Sequence, residues 1–322
     1  MLSGFIISVL VCLTAVALDH WLGEPRRFHP LVGFGSAANW LERRLNPASH
    51  AEPKALRQPL LMGVLAVATL LAPLMLVAVL AVLLLPAHIL VMTDVIVLWL
   101  TLSLRGLREH AMAVAEPLEA GNLPVARQQL ARIVSRQTDS LDESAVASAA
   151  TESVLENGAD AVFASLFWFL VAGIPGVVLH RAVNTLDAMW GYRNERFLLY
   201  GRCAARLDDG LNWIPARLTA LTYAVLGNTA TALTAWREQA PAWDSLNAGP
   251  VMAAGAGALG VSLGGPAPYA TGLKQRPVLG KGPRPDAGTV LAAIRLLERG
   301  VALWLITLAV AALMAYLQSG GA

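Results

Sequence analysis

Ionisable and amide side chains crowd together between Arg193 and Ala220, in a chain that is otherwise 56% hydrophobic and only 14% charged. The stretch reads RNERFLLYGRCAARLDDGLNWIPARLTA and interleaves arginines with carboxylates and asparagines. A membrane protein that collects this many charges in one place is expected to bind a charged substrate there. The alternative interpretation is a solvated loop that follows the positive-inside rule. Such a loop needs no interleaved Asp and Asn.

A second group of candidate residues is acidic. Glu152, Glu156 and Asp160 follow one another at steps of four, so they share one stripe of a helix, and Asn157 lies beside them. Three neighbouring carboxylates repel one another, and the repulsion is relieved by Mg²⁺, by Arg or by water. The stripe therefore indicates either a metal site or a solvated helix face.

A third group lies on a predicted helix over 177–190. Arg181, Asn184 and Asp187 recur at steps of three and share one broad face, where buried polar groups need partners or a ligand. His180, at the edge of that face, is predicted to be structural.

Several familiar chemistries are absent from the sequence. It contains no phosphate-binding G-x-x-x-x-G-K-[ST] loop, no dinucleotide-binding G-x-G-x-x-G after a strand and no zinc-binding H-E-x-x-H. Cys12 and Cys203 have no zinc or redox spacing. The net charge of +2 and the lack of basic runs argue against nucleic-acid binding. Any phosphate must therefore be held by Arg forks, Asn and a carboxylate-bound Mg²⁺.

The elements that position these residues are predicted to be helices in a membrane. The clear spans are 2–18, 60–85, 89–104 and 301–317, each apolar and about long enough to cross a bilayer. Two further segments, 161–179 and 214–236, either cross the membrane or are re-entrant. The Gly- and Pro-rich segment 244–299 is predicted to be extramembrane and to end in a helix over 289–299. We predict an all-α, polytopic membrane protein with one domain over 1–322.

The distribution of basic residues predicts the orientation. No Lys or Arg lies between Arg57 and Arg105, and none follows Arg299. The positive-inside rule then places the turn at Pro86 and both termini outside, with loops 19–58 and 105–160 in the cytoplasm. Between the spans we predict cytoplasmic helices over 104–119 and 124–134. A capping box of Ser140 and Glu143 should begin the helix that carries the acidic stripe.

The chain resembles the CobD/CbiB family, the adenosylcobinamide-phosphate synthases of cobalamin biosynthesis. The resemblance is carried in order by Asp19, Gly23-Glu24-Pro25, His29-Pro30, Ile133–Asp139, Glu152–Asn157 with Asp160, Arg181–Asp187, Gly191–Arg196, Ala205–Asp209, Asn212–Leu218, Asn247-Ala248-Gly249 and Gly264-Gly265-Pro266. These motifs run along nearly the whole chain. The departures from the usual family residues, for example at 158–161 and 245–252, spare the charged positions.

The resemblance implies an ATP- and Mg²⁺-dependent ligase. It would join the free carboxylate of adenosylcobyric acid to the amine of aminopropanol or its phosphate. On this interpretation the catalytic residues are Glu152, Glu156, Asp187 and Arg193, and the Mg²⁺ ligands are Glu152, Glu156 and Asp160. The residues expected to bind substrate or phosphate are His29, Arg136, Arg181, Asn184, Asn194, Arg196, Arg206, Asn212 and Asn247.

The resemblance further implies a multi-pass protein of the bacterial inner membrane, in contact with lipid, with a cytoplasmic active site. It allows a complex with other corrinoid-assembly enzymes. Two other functions fit an apolar chain with clustered charges. One is a non-catalytic membrane sensor or accessory protein of the same fold, which would be expected to lose the acidic stripe. The other is a transporter, but the sequence shows no inverted repeat.

Overall fold

The computed structural model describes residues 2–25, 29–46, 57–269 and 272–319, and nearly all of its regular structure is helical. The α-helices are α1 Leu2–Leu22, α2 Pro30–Leu45, α3 Arg57–Leu84, α4 Ala87–Thr101, α5 Leu104–Glu119, α6 Leu123–Leu130, α7 Glu143–Gly158, α8 Ala164–Trp190, α9 Arg202–Leu226, α10 Thr229–Gln239, α11 Ala248–Leu259 and α12 Ala287–Gln318. The three-residue strands are β1 Ser262–Gly264, β2 Ala267–Tyr269, β3 Gly272–Lys274 and β4 Val278–Gly280. The all-α prediction is confirmed.

Five helical stretches within the described residues are long and apolar enough to cross a membrane. They are Gly4–Leu22, Gln58–Leu84, Ala87–Glu119, Glu143–Trp190 and Ala287–Gln318. Each of the four clear predicted spans overlaps one of them along nearly its whole length, which confirms a polytopic membrane protein. The ambiguous segment 161–179 lies in the fourth stretch, whereas 214–236 lies in none. The predicted sidedness of the loops stays a prediction, and residues 26–28 and 47–56 of the loop 19–58 lie outside the described residues.

Three local details differ from what the sequence predicted. The N-cap of α7 is Asp142, whose carboxylate accepts a hydrogen bond from the Ala145 N–H, and not Ser140. The helix expected over 289–299 is the start of the single 32-residue helix α12, which continues through the last span. The segment 214–236 is not one element, because α9 ends at Leu226 and α10 begins at Thr229. The segment 244–299 contains an apolar and almost wholly buried helix, α11, and its extramembrane location stays a prediction.

Helix α8 is broken near its middle. Gly173 has φ 59° and ψ −146°, a conformation that only glycine adopts readily, and Pro175 follows it. A five-residue π-helical segment, Ala159–Phe163, joins α7 to α8. Ala172 and Gly173 both have non-helical φ and ψ angles, so the predicted interruption at Gly173–Gly176 is a kink between two helical halves of α8.

The described chain divides into two compact units. Unit 1 comprises residues 1–102, 164–212 and 315–322, and its core is formed by α2, α3, α8 and α9. Trp190 and Tyr200 pack edge to face in this core, with ring centroids 5.1 Å apart. Helix α3 approaches this region so closely that a Cβ on Gly63 would lie 2.0 Å from the backbone oxygen of Tyr200. The close approach explains why a glycine occupies this position.

Unit 2 comprises residues 103–163 and 213–314. Phe163 lies between Tyr223 and Trp304, with ring centroids 6.0 Å and 5.1 Å away, and the Trp304 indole donates a hydrogen bond to the Thr222 hydroxyl. Helices α10 and α11 pack together, and β1 pairs antiparallel with β4, as β2 does with β3. The result is a helical unit in which the β1–β4 pair lies beside α7, α10 and α11.

Candidate active site

A heavily hydrogen-bonded carboxylate belongs to Glu152, on α7. It is 2% exposed and accepts five hydrogen bonds. Arg276 donates two of them in a bidentate fork, at 2.9 and 3.2 Å, and Arg136 donates a third. The Ser148 hydroxyl and the Gly264 N–H donate the others, at 3.1 and 3.0 Å. We call Glu152 with these four donors the Glu152 cluster.

The segment after α11 supplies half of this cluster. Gly264 and Gly265 have φ angles of 81° and 75°, and a Cβ on Gly264 would lie 2.3 Å from the Pro277 backbone oxygen. Only glycine therefore lets the backbone turn here and aim an N–H at Glu152. The Arg276 Nε donates to the Gly265 oxygen, and the guanidinium lies over the Trp243 ring, 5.3 Å from its centroid.

Electrostatics fix the charge of Arg276. Burial alone would lower the pKa of its guanidinium, but the ion pair with Glu152 raises that pKa above its ordinary value. Arg276 and Arg136 are both nearly buried, with side chains 8% and 11% exposed. Two desolvated cations thus share one carboxylate, an arrangement that is stable only while the carboxylate stays in place.

The rest of the acidic stripe differs from Glu152. Glu156 is exposed, lies within electrostatic range of Glu152, Arg136 and Arg276, and makes no hydrogen bond or ion pair with a described residue. Asp160 lies in the π-helical segment and acts electrostatically on Tyr223. The Asn157 amide donates hydrogen bonds to Ser153. The three carboxylates therefore lie in three distinct environments.

The Glu152 carboxylate does not fit Mg²⁺. A carboxylate has about four lone-pair positions, and the oxygens of Glu152 already accept five hydrogen bonds. Mg²⁺ takes oxygen ligands and would meet two guanidinium groups here. No group of three or more His, Cys, Asp or Glu side chains able to hold a metal occurs among the described residues. The sequence allowed Mg²⁺, Arg or water to relieve the repulsion between the carboxylates of the stripe. At Glu152 the negative charge is neutralised by arginine.

A second polar network lies in unit 1, between α8 and α9. The Asn212 amide donates to both oxygens of Asp208, at 3.0 Å each, and the Asn184 amide donates to one of them at 3.2 Å. Arg181 in turn donates a hydrogen bond to the side-chain oxygen of Asn184. The His180 Nε2 lies 2.9 Å from the side-chain oxygen of Asn212. Burial raises the pKa of Asp208, against the lowering effect of the two amides. We call these five residues the Asp208 network.

The arginines of the opening stretch separate into two kinds. Arg196 donates to both oxygens of the buried Glu42, at 3.0 and 2.6 Å, and Asn46 bridges Glu42 to the Arg196 backbone oxygen. Arg193 and Arg206 are exposed and make no hydrogen bond or ion pair with a described residue. Arg196 is thus held by the protein, whereas Arg193 and Arg206 present their guanidinium groups to solvent.

The remaining predicted residues have local partners. The His29 Nδ1 accepts from the Leu31 N–H at the start of α2, and the Asn194 side chain accepts from the Phe197 N–H. The Asn247 oxygen accepts from Arg217, whose guanidinium lies over Trp213. The Asp187 side chain lies against Gly191, since a Cβ on Gly191 would be 2.1 Å from the Asp187 Oδ1.

The predicted residues divide between the units. Unit 2 contains Arg136, Glu152, Glu156, Asp160 and Asn247. Unit 1 contains His29, Arg181, Asn184, Asp187, Arg193, Asn194, Arg196, Arg206 and Asn212. Direct hydrogen bonds join Arg136 to Glu152 and connect Arg181, Asn184 and Asn212 through Asp208. The predicted roles in catalysis and binding stay predictions.

Sequence reasoning missed three central residues. Arg276 lies in a Gly- and Pro-rich segment with few charges, where the nearby Gly264-Gly265-Pro266 motif was the available signal. Glu42, the partner of Arg196, lies in the loop 19–58 and gave no periodic signal. Asp208 belongs to the opening stretch but was not chosen, and His180, predicted to be structural, is a member of the Asp208 network.

Comparison with known proteins identifies the family. The CobD/Cbib protein family matches residues 12–297. A "Cobalamin biosynthesis protein CobD" of Chromobacterium violaceum is 53% identical over 297 residues, which cover 92% of this chain and 94% of that protein. The protein of the same name from Stutzerimonas stutzeri is 55% identical over 299 residues, 93% and 96% of the two chains.

A more distant relative with that name, from Halalkalibacterium halodurans, is 38% identical over 290 residues, covering 85% of this chain and 86% of that protein. No solved structure matches the chain. Because the family match runs through both units and these relatives are aligned along most of their length, this chain belongs to the CobD/CbiB family.

Proposed function

We propose that this protein is a membrane-bound ligase of cobalamin biosynthesis. It would join the free carboxylate of adenosylcobyric acid to the amine of aminopropanol or of aminopropanol phosphate, at the expense of ATP. The observation that carries the proposal is the family match over residues 12–297, because the relatives within it bear the name of a cobalamin biosynthesis protein. The described structure supports it with two polar clusters and with exposed, unpaired arginines.

The chemistry explains why such residues are needed. A carboxylate does not condense with an amine unaided in water, so activation by phosphoryl transfer is the natural route, and cations must stabilise the phosphates. Arg193 and Arg206 have guanidinium groups that no described residue occupies, and a guanidinium binds phosphate through two parallel hydrogen bonds. We assign these two arginines to phosphate binding.

Arg196 receives a different role. Its guanidinium donates bidentate hydrogen bonds to the buried Glu42. These bonds fix the position of the segment after α8, which includes the backbone next to Arg193. The proposal retains ATP and Mg²⁺ as requirements of the reaction. It assigns no metal to Glu152, whose oxygens are occupied.

The direct test is product formation. Purified full-length protein in detergent or proteoliposomes is given adenosylcobyric acid, ATP, Mg²⁺ and either aminopropanol or aminopropanol phosphate, and mass spectrometry detects the amide. Product is expected only with ATP and with one of the two amines. Its absence with both amines, from protein that remains folded, would contradict a ligase and favour a non-catalytic relative.

A pair of neighbouring variants tests the two roles of arginine. Arg193→Lys should raise the apparent constant for one phosphorylated substrate by about tenfold, because a planar fork is lost. Arg196→Lys should instead lower the folded yield, with little change in the constants of the protein that folds. If the two variants behave alike, the assigned division of roles between Arg193 and Arg196 is wrong.

A further inference from the structure

The second half of helix α9, residues 213–226, exposes only apolar side chains. All of these residues are described by the structure, and all of them belong to unit 2. Four of the exposed residues follow one another at steps of four, three and four, so they share one face of the helix. We call these four residues the α9 stripe: Ile214, Leu218, Leu221 and Val225, each between 37% and 57% exposed. The fifth exposed side chain, Trp213, lies next to the stripe.

The opposite side of the same segment is buried and consists largely of small side chains. The buried small residues are Ala216, Thr219, Ala220, Thr222 and Ala224. A helix that faces water buries its large apolar residues and exposes polar ones. A helix that faces lipid packs against its neighbours through small residues, because lipid chains are as apolar as leucine and leave large apolar side chains no reason to be inside. The second half of α9 follows the pattern of a lipid-facing helix.

Helix α10, the next helix in the same unit, has the ordinary pattern. Its exposed residues include Thr234, Arg237 and Glu238, whereas Ala232 and Ala235 are buried. Exposure of large apolar side chains is therefore a property of the α9 segment and not of every helix in unit 2.

Contacts within unit 2 place this segment beside a membrane-length helix. The Thr222 hydroxyl accepts a hydrogen bond from the Trp304 indole at 2.9 Å, and a Cβ on Gly300 would lie 3.1 Å from the Thr222 methyl group. Gly300 and Trp304 belong to α12, which is long and apolar enough to cross a membrane and has no charged residue after Arg299. The second half of α9 thus packs against α12 where that helix becomes wholly apolar, which is where a span enters the bilayer.

One end of the segment carries side chains that are typical of a membrane surface. The Arg217 guanidinium lies over the Trp213 ring, 4.4 Å from its centroid, and donates a hydrogen bond to the side-chain oxygen of Asn247 at 3.0 Å. Trp and Arg are favoured at the level of the lipid headgroups, because each has an apolar body and a polar end. The sequence contains no further charged residue until Arg237.

We propose that residues 213–226 form an interfacial membrane helix and that the acyl chains of phospholipids cover the α9 stripe. The segment is about 21 Å long at 1.5 Å per residue, too short to cross a hydrocarbon core of about 30 Å. It therefore lies along the membrane surface, where an amphipathic helix inserts its apolar face about 5–10 Å into the boundary between headgroups and acyl chains. This inference does not depend on the proposed ligase function.

Fluorescent labels on single cysteines test the proposal. Full-length protein with Cys12→Ala and Cys203→Ala is the background, and Leu221→Cys and Val225→Cys each place the environment-sensitive fluorophore NBD on the α9 stripe. The labelled protein is reconstituted into phosphatidylcholine vesicles. Quenching is measured with iodide on both sides of the membrane, and with phosphatidylcholine brominated either near the headgroup or near the ends of the acyl chains.

Two further positions in the same unit serve as references. Leu273→Cys is the matched control, because Leu273 is an exposed leucine of β3, outside the membrane-length helices. Val310→Cys labels an exposed residue within the apolar part of α12 and reports a position inside the bilayer. If Leu221→Cys does not fold, Val225→Cys decides.

Brominated lipid should quench the labels on the α9 stripe several-fold more than the label at Leu273, and bromine near the headgroup should be the most effective. The label at Val310 should respond most to bromine at the chain ends, and iodide should quench mainly the label at Leu273. Strong iodide quenching on the stripe would place it in water. Protection from both quenchers would mean that protein, such as a second copy of this chain, covers it. Either result overturns the lipid contact, and strongest quenching of the stripe from the chain ends overturns its interfacial position.

Discussion

The carboxylates at the centres of the two polar clusters have opposite kinds of partner. Glu152, in unit 2, is surrounded by two guanidinium groups, a hydroxyl and a backbone N–H. Asp208, in unit 1, is held by the neutral amides of Asn184 and Asn212. In the Glu152 cluster, the negative charge of the carboxylate is neutralised by the positive charges of Arg136 and Arg276. In the Asp208 network, burial raises the pKa of the carboxyl, and the hydrogen bonds from the two amides oppose this rise without cancelling the charge.

This difference indicates which carboxylate the protein relies on for its structure. Removing Glu152 would strand two nearly buried cations, whereas removing the charge of Asp208 strands none. The first substitution should therefore be costly and the second mild, although both residues lie in a polar cluster and both are acidic. The following experiments measure that contrast, beginning with the largest expected effect.

Glu152→Gln should destabilise the protein by about 3–5 kcal/mol, because it leaves the Arg136 and Arg276 guanidinium groups without a counter-charge. Folded yield and denaturant titration in detergent measure the loss, with Glu143→Gln on the same helix as control. The double variant Glu152→Gln/Arg276→Gln should lose less than the sum of its single changes. Wild-type stability in Glu152→Gln would remove the distinction between the two clusters.

Arg276→Lys should cost about 1.5–3 kcal/mol, because Lys keeps the charge but loses the fork on Glu152 and the hydrogen bond to the Gly265 oxygen. The free energy of unfolding is compared with that of Arg284→Lys. Arg284 also pairs with a carboxylate, that of Asp142, but both side chains are more than half exposed. Equal losses of unfolding free energy in the two variants would show that the buried fork on Glu152 stabilises the protein no more than an exposed ion pair does.

Asp142→Ala removes the exposed carboxylate that caps the N-terminus of α7. The free energy of unfolding should fall by about 1 kcal/mol, the usual value of an N-cap. The hydrogen bond from the Ala145 N–H, helped by Arg284, lowers the pKa of Asp142. A lowered folded-state pKa gives stability that is present above the unfolded value of about 3.9 and is lost as pH falls through the folded value. The difference between wild type and variant should shrink below about pH 4, and thermal unfolding at several pH values checks this.

Asp208→Asn should change stability by less than about 1 kcal/mol at neutral pH, because it keeps the shape and removes a poorly neutralised charge. The pKa of Asp208 is raised, so its contribution is full below about pH 3.9 and is lost as pH rises through the folded value. The stability of wild type relative to the variant should therefore fall as pH increases above about 4 and through the folded-state pKa. A constant difference over this range would mean that Asp208 is fully neutralised, like Glu152.

Much of the fold was predictable from local sequence. Uninterrupted apolar runs predicted four spans, and each overlaps a membrane-length helical stretch, because a helix in a bilayer must satisfy its own backbone and present apolar side chains all round. The boundaries of α5, Leu104–Glu119, were predicted to the residue, since Gly121-Asn122 ends the helix locally. The steps of four also predicted correctly that Glu152 and Glu156 lie on a helix.

Only the tertiary structure decided how the charges are used. The sequence indicated that the repulsion in the acidic stripe must be relieved, but not whether Mg²⁺, arginine or water relieves it at Glu152. The answer depends on Arg276, which lies 124 positions along the chain from Glu152. Arg193 and Arg196 look equivalent in the sequence, and they differ because Glu42, 154 positions from Arg196, pairs with that arginine. Periodicity and composition determine which residues share an element, whereas ion pairing depends on distances between elements that neighbouring residues do not encode.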